Sequence, residues 1–297
     1  MNRKEDARDT IYLEHPCGSS ATISRLGATV LSLKTASNNE VLWLDSDRSQ
    51  AASDGNRLYG GIPVIFPTFG NVEDSRIMAI GDQQDMIRHM ESVPHHGFAK
   101  DCVWDLITPD DTKSYYDLLN TEEQKAKIYQ DGLPQALLRL SPLNVPADLG
   151  GSWLKESGDW DILYRIMLKE DELSLDLCVR NQNTREDFHN DMRAKILFHN
   201  YLSVSNPGSM NIYGLNDARI MLDSNSARPV YTDNAVSFNI PGFIDQVWTL
   251  KQIDTVNVLV KNKVKGLIPQ FSITAYNLPD LGEWNHHVSP GPSTGSA

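Results

Sequence analysis

The chain reads as an all-β protein, built as a sandwich or a barrel. Three observations predict this: hydrophobicity alternates with a period of two along many short runs, turn-forming residues recur about every ten positions, and few segments carry helical spacing. Thr10–Leu13, Ala21–Ser24, Thr29–Lys34 and Val41–Leu44 are the first strand candidates, separated by the turn-rich pieces Cys17–Ser20 and Ser37–Glu40. Ile162–Leu168 and Leu173–Val179 make the clearest hairpin. Its second arm alternates Leu173, Leu175, Leu177 and Val179 with Ser174, Asp176 and Cys178, and Lys169–Asp171 supplies the turn. Ala194–His199, Met210–Tyr213, Val256–Val260 and Gln270–Tyr276 complete the set. Asp110–Gly132 is polar and helix-prone and reads as a surface insertion. The last twelve residues, from His286, are small, polar and rich in Pro and Gly, a composition expected to be disordered. No internal repeat or shift of composition marks a boundary, so one domain over residues 1–285 is expected.

Composition narrows the function. The 297 residues are 40% hydrophobic and 22% charged, as in soluble globular proteins, and can bury a substantial core. A formal charge of −12 with no basic patch argues against nucleic-acid and anionic-membrane partners. Three widely spaced cysteines fit buried thiols in a reducing compartment. The charged first ten residues carry no secretory signal, and no run approaches the roughly 20 apolar residues of a membrane helix, so the cytosol is expected.

Four pieces carry candidate chemistry. Tyr59–Gly70 (YGGIPVIFPTFG) places two glycines before an apolar run, which permits close backbone approach; by itself it is a tight turn entering a buried strand. Pro94–Lys100 (PHHGFAK) offers the donors and acceptors of His95 and His96 with a cation, Lys100, four residues after His96; by itself it is a surface loop. On a strand the two imidazoles would diverge, and no Cys or carboxylate stands at ligand spacing, so a metal site is not expected. His199 lies in the apolar run Leu197–Tyr201 (LFHNY), where a hydrogen-bonded core histidine is the ordinary reading. Asp245 sits in FNIPGFIDQVW, expected to be a Gly/Pro-rich loop and by itself a turn aspartate.

Taken in order, GGIP-x-x-FP-x-FG, HGFA with a following basic residue and Trp104, FH-x-Y, the Asp245 segment and YNLPD-x-x-x-WN resemble the glucose-6-phosphate 1-epimerases of the galactose-mutarotase-like superfamily. Arg25–Leu33 (RLGATVLSL) and Val41–Leu44 (VLWL) match in place, and the resemblance runs from about residue 10 to Asn285. It implies a large β-sandwich whose concave face holds the sugar, and an isomerase that interconverts α and β anomers. In that family a histidine protonates the ring oxygen and a glutamate takes the anomeric hydroxyl proton. The ring opens, the C1–C2 bond rotates, and reclosure gives the other anomer. His199 falls on the acid, Asp245 on the sugar-binding aspartate and His96 on the histidine beside the sugar.

Tyr59 and Lys100 fall where the relatives carry two phosphate-binding arginines, and His95 where Gln or Ala is common. Lys keeps the charge without the planar fork, and Tyr has no charge, so weak selectivity for a 6-phosphate is expected even if Arg57 reaches the pocket. The resemblance implies no metal or organic cofactor and a small sugar or sugar-phosphate partner; oligomeric state is not legible. After His199 the sequence holds one glutamate, Glu283, beside the WN motif, so the family's catalytic glutamate and last strands are expected to be missing. Weak turnover, an exposed sheet edge near Gln270–Tyr276 and self-association follow from that expectation. The alternatives are a non-catalytic carbohydrate-binding pseudoenzyme and an incomplete product without function of its own.

Overall fold

A computed structural model describes residues 10–45, 58–70, 93–107, 132–182, 192, 194–203, 210–213, 219–223, 230–232, 235–237, 244–249, 256–262, 269–275 and 280–285. Arg57, the insertion up to residue 131 and the tail from His286 lie outside them. The chain falls into two compact units, Met1–Ser203 and Val204–Ala297. Described residues are mostly strand, as the patterning predicts.

The first unit carries β1 (Thr10–Glu14), β2 (Ser20–Ser24), β3 (Thr29–Lys34), β4 (Val64–Ile65), β5 (Asp105–Leu106) and β6 (Gln135–Leu140). A short helix α1 (Gly151–Glu156), β7 (Trp160–Leu168), β8 (Leu173–Asn181) and β9 (Leu197–Phe198) follow. β1–β2–β3 form an antiparallel meander, and β5–β6–β7–β8 a four-stranded sheet. The hairpin expected from sequence is β7–β8, paired from Leu168↔Leu173 to Trp160↔Asn181 and closed by Lys169 N–H donating to Glu172 O at 2.9 Å. Val41–Leu44, expected as a strand, instead makes isolated bridges, Leu42 to Leu202 and Leu44 to Gly60. Two different neighbours at successive turns of the pleat leave no continuous ladder there.

The two sides of β7 differ. Trp160, Ile162, Tyr164, Ile166 and Leu168 enter the main core with Ala136, Leu138 and Leu140 of β6. At its centre Phe66 meets Trp153 edge-on (ring centroids 5.3 Å), Trp160 (5.6 Å) and Phe98 (6.0 Å). Each such pair adds about 0.5–1.5 kcal/mol beyond burial. Phe66 and Phe98 belong to the two motifs singled out above, so the core itself anchors both. On the other side of β7, Asp161 is fully buried, yet accepts hydrogen bonds from Arg139 (3.3 Å), Arg180 (2.6 Å) and Gln182 (2.8 Å). Arg165 pairs with Asp176 at 2.6 Å. A carboxylate taken out of water persists only when satisfied in this way.

The cysteines are all thiols. Burial pushes Cys102 up to about 12, whereas a hydrogen bond with the Ser19 hydroxyl lowers the half-exposed Cys17.

The second unit carries β10 (Met210–Tyr213), β11 (Arg219–Asp223), β12 (Val230–Thr232), β13 (Ala235–Ser237), β14 (Ile244–Thr249), β15 (Val256–Asn262), β16 (Pro269–Ala275) and β17 (Asp280–Asn285). They form a sheet in the order β12-β13-β10-β15-β16 and another in the order β11-β14-β17. Among the described residues β16 ends its sheet, paired with β15 alone. β17 is a strand the sequence reading did not anticipate, its alternation being broken by Gly282 beside Glu283. Among the described residues no helix is long and apolar enough to cross a membrane.

The glycine pair of the first motif does permit close approach. Gly61 has φ +70°, and a Cβ there would lie 2.2 Å from the Val30 carbonyl oxygen. A left-handed alanine costs about 1–2 kcal/mol before any clash, so Gly61→Ala should destabilise the protein by more than about 2 kcal/mol. Chemical denaturation of the two proteins measures it.

Candidate active site

The site grows from a ladder between residues 61–67 and 195–203. Lys195 N–H donates to Pro67 O (2.7 Å), His199 N–H to Pro63 O (3.2 Å) and Tyr201 N–H to Gly61 O (2.9 Å), with Ile65↔Leu197 and Val64↔Phe198 paired between. At its end the chain closes a ring of three backbone bonds. Tyr201 N–H donates to Gly61 O, Gly61 N–H to Trp43 O (2.8 Å), and Trp43 N–H to Tyr201 O (2.9 Å). Strand alternation then sorts the side chains. Phe198 turns to Tyr164 of the core (5.8 Å), whereas His199 and Tyr201 share the other side, stacked at 4.4 Å.

His96 approaches from a different turn. Gly97 N–H donates to Pro94 O at 2.8 Å, and His96 at the turn takes φ +64°. This corrects the expectation that the two imidazoles diverge: they sit on a turn rather than a strand, and their ring centroids are 3.8 Å apart. Gly97, at φ +71°, brings its α-carbon against the Phe66 carbonyl, where a Cβ would stand 2.1 Å from the oxygen. That contact ties the HGF motif to the GGIP motif. His96 also holds Gly70 twice. Its N–H donates to Gly70 O (3.2 Å), and its Nδ1 accepts from Gly70 N–H (3.0 Å).

A backbone N–H can only donate, so Nδ1 must offer its lone pair, and the proton of neutral His96 rides on Nε2. Burial, followed by the positive charge of His95, His199 and Lys100, brings His96 down to about 3. It is therefore a neutral ring with a fixed donor. The rings of His96 and His199 lie 5.9 Å apart. With Phe69 on His96 (5.1 Å) and Trp43 beside Tyr201 (6.0 Å), five rings run in a row: Phe69, His96, His199, Tyr201, Trp43.

The remaining expected residues fall as follows. Tyr59 is exposed at the rim, its carbonyl accepting from Asp45 N–H at 2.8 Å. His95 is exposed beside His96. Lys100 Nζ donates to Gly97 O and to Asp101 Oδ2, each at 2.7 Å, so its charge is directed to the protein's own carboxylate. Arg57 lies outside the described residues. Asp245, expected on a loop, is instead the second residue of β14 in the second unit, paired with Trp284 of β17; the β-branched and aromatic residues of Ile244–Thr249 outweigh the preceding Pro and Gly. Sequence reading missed Trp43, Tyr201 and Phe69 as members of the ring row. The signal for Tyr201 was its place two residues beyond His199 on a strand. Among the described residues no group of three or more His, Cys, Asp or Glu is placed to hold a metal ion.

An imidazole pair with one ring fixed as a neutral donor, flanked by aromatic faces, can bind a polyhydroxylated ring and move a proton through the second imidazole. Comparison with known proteins finds the following similarities. Residues 9–130 match the family model described as Aldose 1-epimerase. A protein named "Putative glucose-6-phosphate 1-epimerase" from Escherichia coli is 31% identical over 127 residues, 41% of this chain and 37% of the relative. One of the same name from Salmonella typhimurium is 23% identical over 247 residues, 83% of this chain and 65% of the relative. The chain thus spans about a third and just under two thirds of the lengths of these two curated relatives. The crystal structure of a "putative mutarotase (YeaD)" from Salmonella typhimurium superposes with a TM-score of 0.53 at 21% identity, covering 86% of this chain and 68% of that one, which establishes the fold. The sheet-rich fold is that of a mutarotase-like sandwich. Residues 9–130 are thus similar to aldose 1-epimerases, and the wider chain is similar in sequence to the two curated relatives.

His96 also predicts a pH dependence. Its folded-state value, about 3, lies below the ordinary histidine value of about 6.5, so the unfolded chain binds the proton first. Its contribution to stability is complete above about pH 6.5 and is lost as the pH falls toward 3. His96→Asn keeps a residue that tolerates positive φ and an oxygen to accept from Gly70, without the titration. The drop in melting temperature between pH 7.5 and pH 4.5 should be smaller in this variant than in the wild type.

Proposed function

We propose that the protein is an aldose mutarotase, an isomerase interconverting the α and β anomers of a hexose or hexose phosphate by acid–base ring opening. His199 gives a proton to the ring oxygen as its bond to C1 breaks, solvent water takes the proton of the anomeric hydroxyl, and His96 Nε2–H donates to a neighbouring hydroxyl. The observation that carries this reading is the 5.9 Å approach of the His96 and His199 rings, brought together from motifs far apart in sequence. The resemblance adds Asp245 as an acceptor for sugar hydroxyls, and Tyr59, His95, Lys100 and Arg57 as residues around the substrate.

A second reading is a carbohydrate-binding protein without turnover. It is favoured by the neutral, fixed-donor state of His96, which can bind a hydroxyl without taking its proton. The chemistry needs a base for the anomeric hydroxyl, and its loss costs on the order of 10²–10⁴ in rate.

Freshly dissolved α-glucose and α-glucose 6-phosphate, followed by anomer-resolved NMR, separate the two. For a mutarotase, the protein accelerates equilibration, and His199→Ala should lower the rate by about 10²–10⁴-fold. Equal rates for the two proteins would reject His199 as the acid. Sugar binding with no acceleration would establish the second reading.

A further inference from the structure

We propose that Trp43, Tyr201 and Tyr59 form a pyranose-stacking ledge beside the imidazole pair, and that this ledge selects neutral sugars over their phosphate esters. The proposal rests on the carbohydrate reading above and names its substrate class.

The first support is exposure. Trp43 is 46% and Tyr59 37% accessible to solvent, in a unit whose other tryptophans Trp104, Trp153 and Trp160 are almost fully buried. Single exposed aromatics are ordinary, but these adjoin one another. Trp43 lies 6.0 Å from Tyr201, whose ring continues onto His199 at 4.4 Å. The backbone of residues 43–45 bonds to that of residues 59–61 on one side and to Tyr201 on the other. Burial raises the Tyr201 hydroxyl, and the nearby phenol of Tyr59 raises it further through charge repulsion.

The second support is chemical fit. A pyranose presents a flat face of C–H groups and a rim of hydroxyls. Rigid aromatic rings cover the first at little entropic cost, while imidazoles answer the second. Here the two kinds of group follow one another without a break, from Trp43 through Tyr201 and His199 to His96.

The third support is charge. Tyr59 brings a phenol to the rim of the ledge. Lys100 gives its ammonium to Asp101 and to the Gly97 carbonyl, and His96 is neutral at any physiological pH. A phosphate ester placed here would lose water without gaining a counter-charge from these groups.

Methyl β-D-glucopyranoside, which cannot open its ring, reads binding without turnover. Saturation-transfer NMR and titration would compare it with glucose 6-phosphate on the wild type, Trp43→Ala, Trp43→Phe and Tyr59→Ala. The ledge requires strongest transfer to the ring C–H protons of one face and binding of the pyranoside at least as tight as that of the phosphate. Trp43→Ala should weaken pyranoside binding about tenfold, with a smaller loss for Tyr59→Ala and near-retention in Trp43→Phe. Trp43 is outside the core, so an unchanged circular-dichroism melt should accompany these losses. A wild type that binds the pyranoside while Trp43→Ala binds it equally well overturns the ledge and leaves the carbohydrate reading standing. So does a tenfold preference for the phosphate. Failure of the wild type to bind either sugar overturns both.

Discussion

The closed ring of backbone hydrogen bonds among Trp43, Gly61 and Tyr201 is the constraint on which the site depends. Three segments distant in sequence meet there, and the approach of the first requires that Gly60 have no side chain to hold Trp43 away. Once Tyr201 is registered against Gly61, the period of the strand dictates the rest. Phe198 must face the core, and His199 must face outward with Tyr201. A slip of one residue would bury the imidazole and expose the phenylalanine. The geometry of the candidate site is thus a consequence of where two adjacent glycines let two carbonyls approach, Gly60 that of Trp43 and Gly61 that of Val30.

A second layer of fixation comes from below. Phe66 and Phe98 are fully buried in the aromatic nucleus with Trp153 and Trp160, and each stands next to a residue that shapes the site. Gly97 precedes Phe98 and follows His96, so the anchoring of Phe98 also sets the turn that carries both imidazoles. The same nucleus that stabilises the first unit therefore controls the spacing of His96 and His199. The ion-pair network around Asp161 lies on the far side of β7 from this nucleus and fixes the register of β7 with β6 and β8 instead.

Much of the fold was legible because alternation is a local signal. β1, β2, β3, β7 and β8 follow their apolar periods almost residue for residue. β6 (QALLRL) was not recognised, since consecutive leucines blur a period of two, and α1 is too short to show a helical one. In the site, the glycine pair announced a close approach, but nothing local could say that Val30 was the other party. The likeness of the motifs to a known family brought His96 and His199 together. The left-handed turn at His96 depends on tertiary contacts and could not be read from spacing, whereas the pairing of Lys100 with its neighbour Asp101 is local and was overlooked. The ring row escaped notice for the same reason: Trp43, Tyr201 and Phe69 come from three segments, and each alone looks like ordinary strand or turn.

Cys102 lies beneath the segment that carries the imidazoles, its carbonyl accepting from Gly27 N–H at 2.7 Å and its N–H donating to Ala99 O. With the thiol held at about 12, almost none of it is thiolate near neutrality, and burial keeps reagents away as well. Cys17 has neither protection. An alkylating reagent would therefore modify Cys17 first, the partly exposed Cys178, whose thiol burial also raises, more slowly, and Cys102 only during moments when its segment lifts. The rate at Cys102 would be a clock for the opening of the segment that follows the His96 turn, built into the protein without any added label.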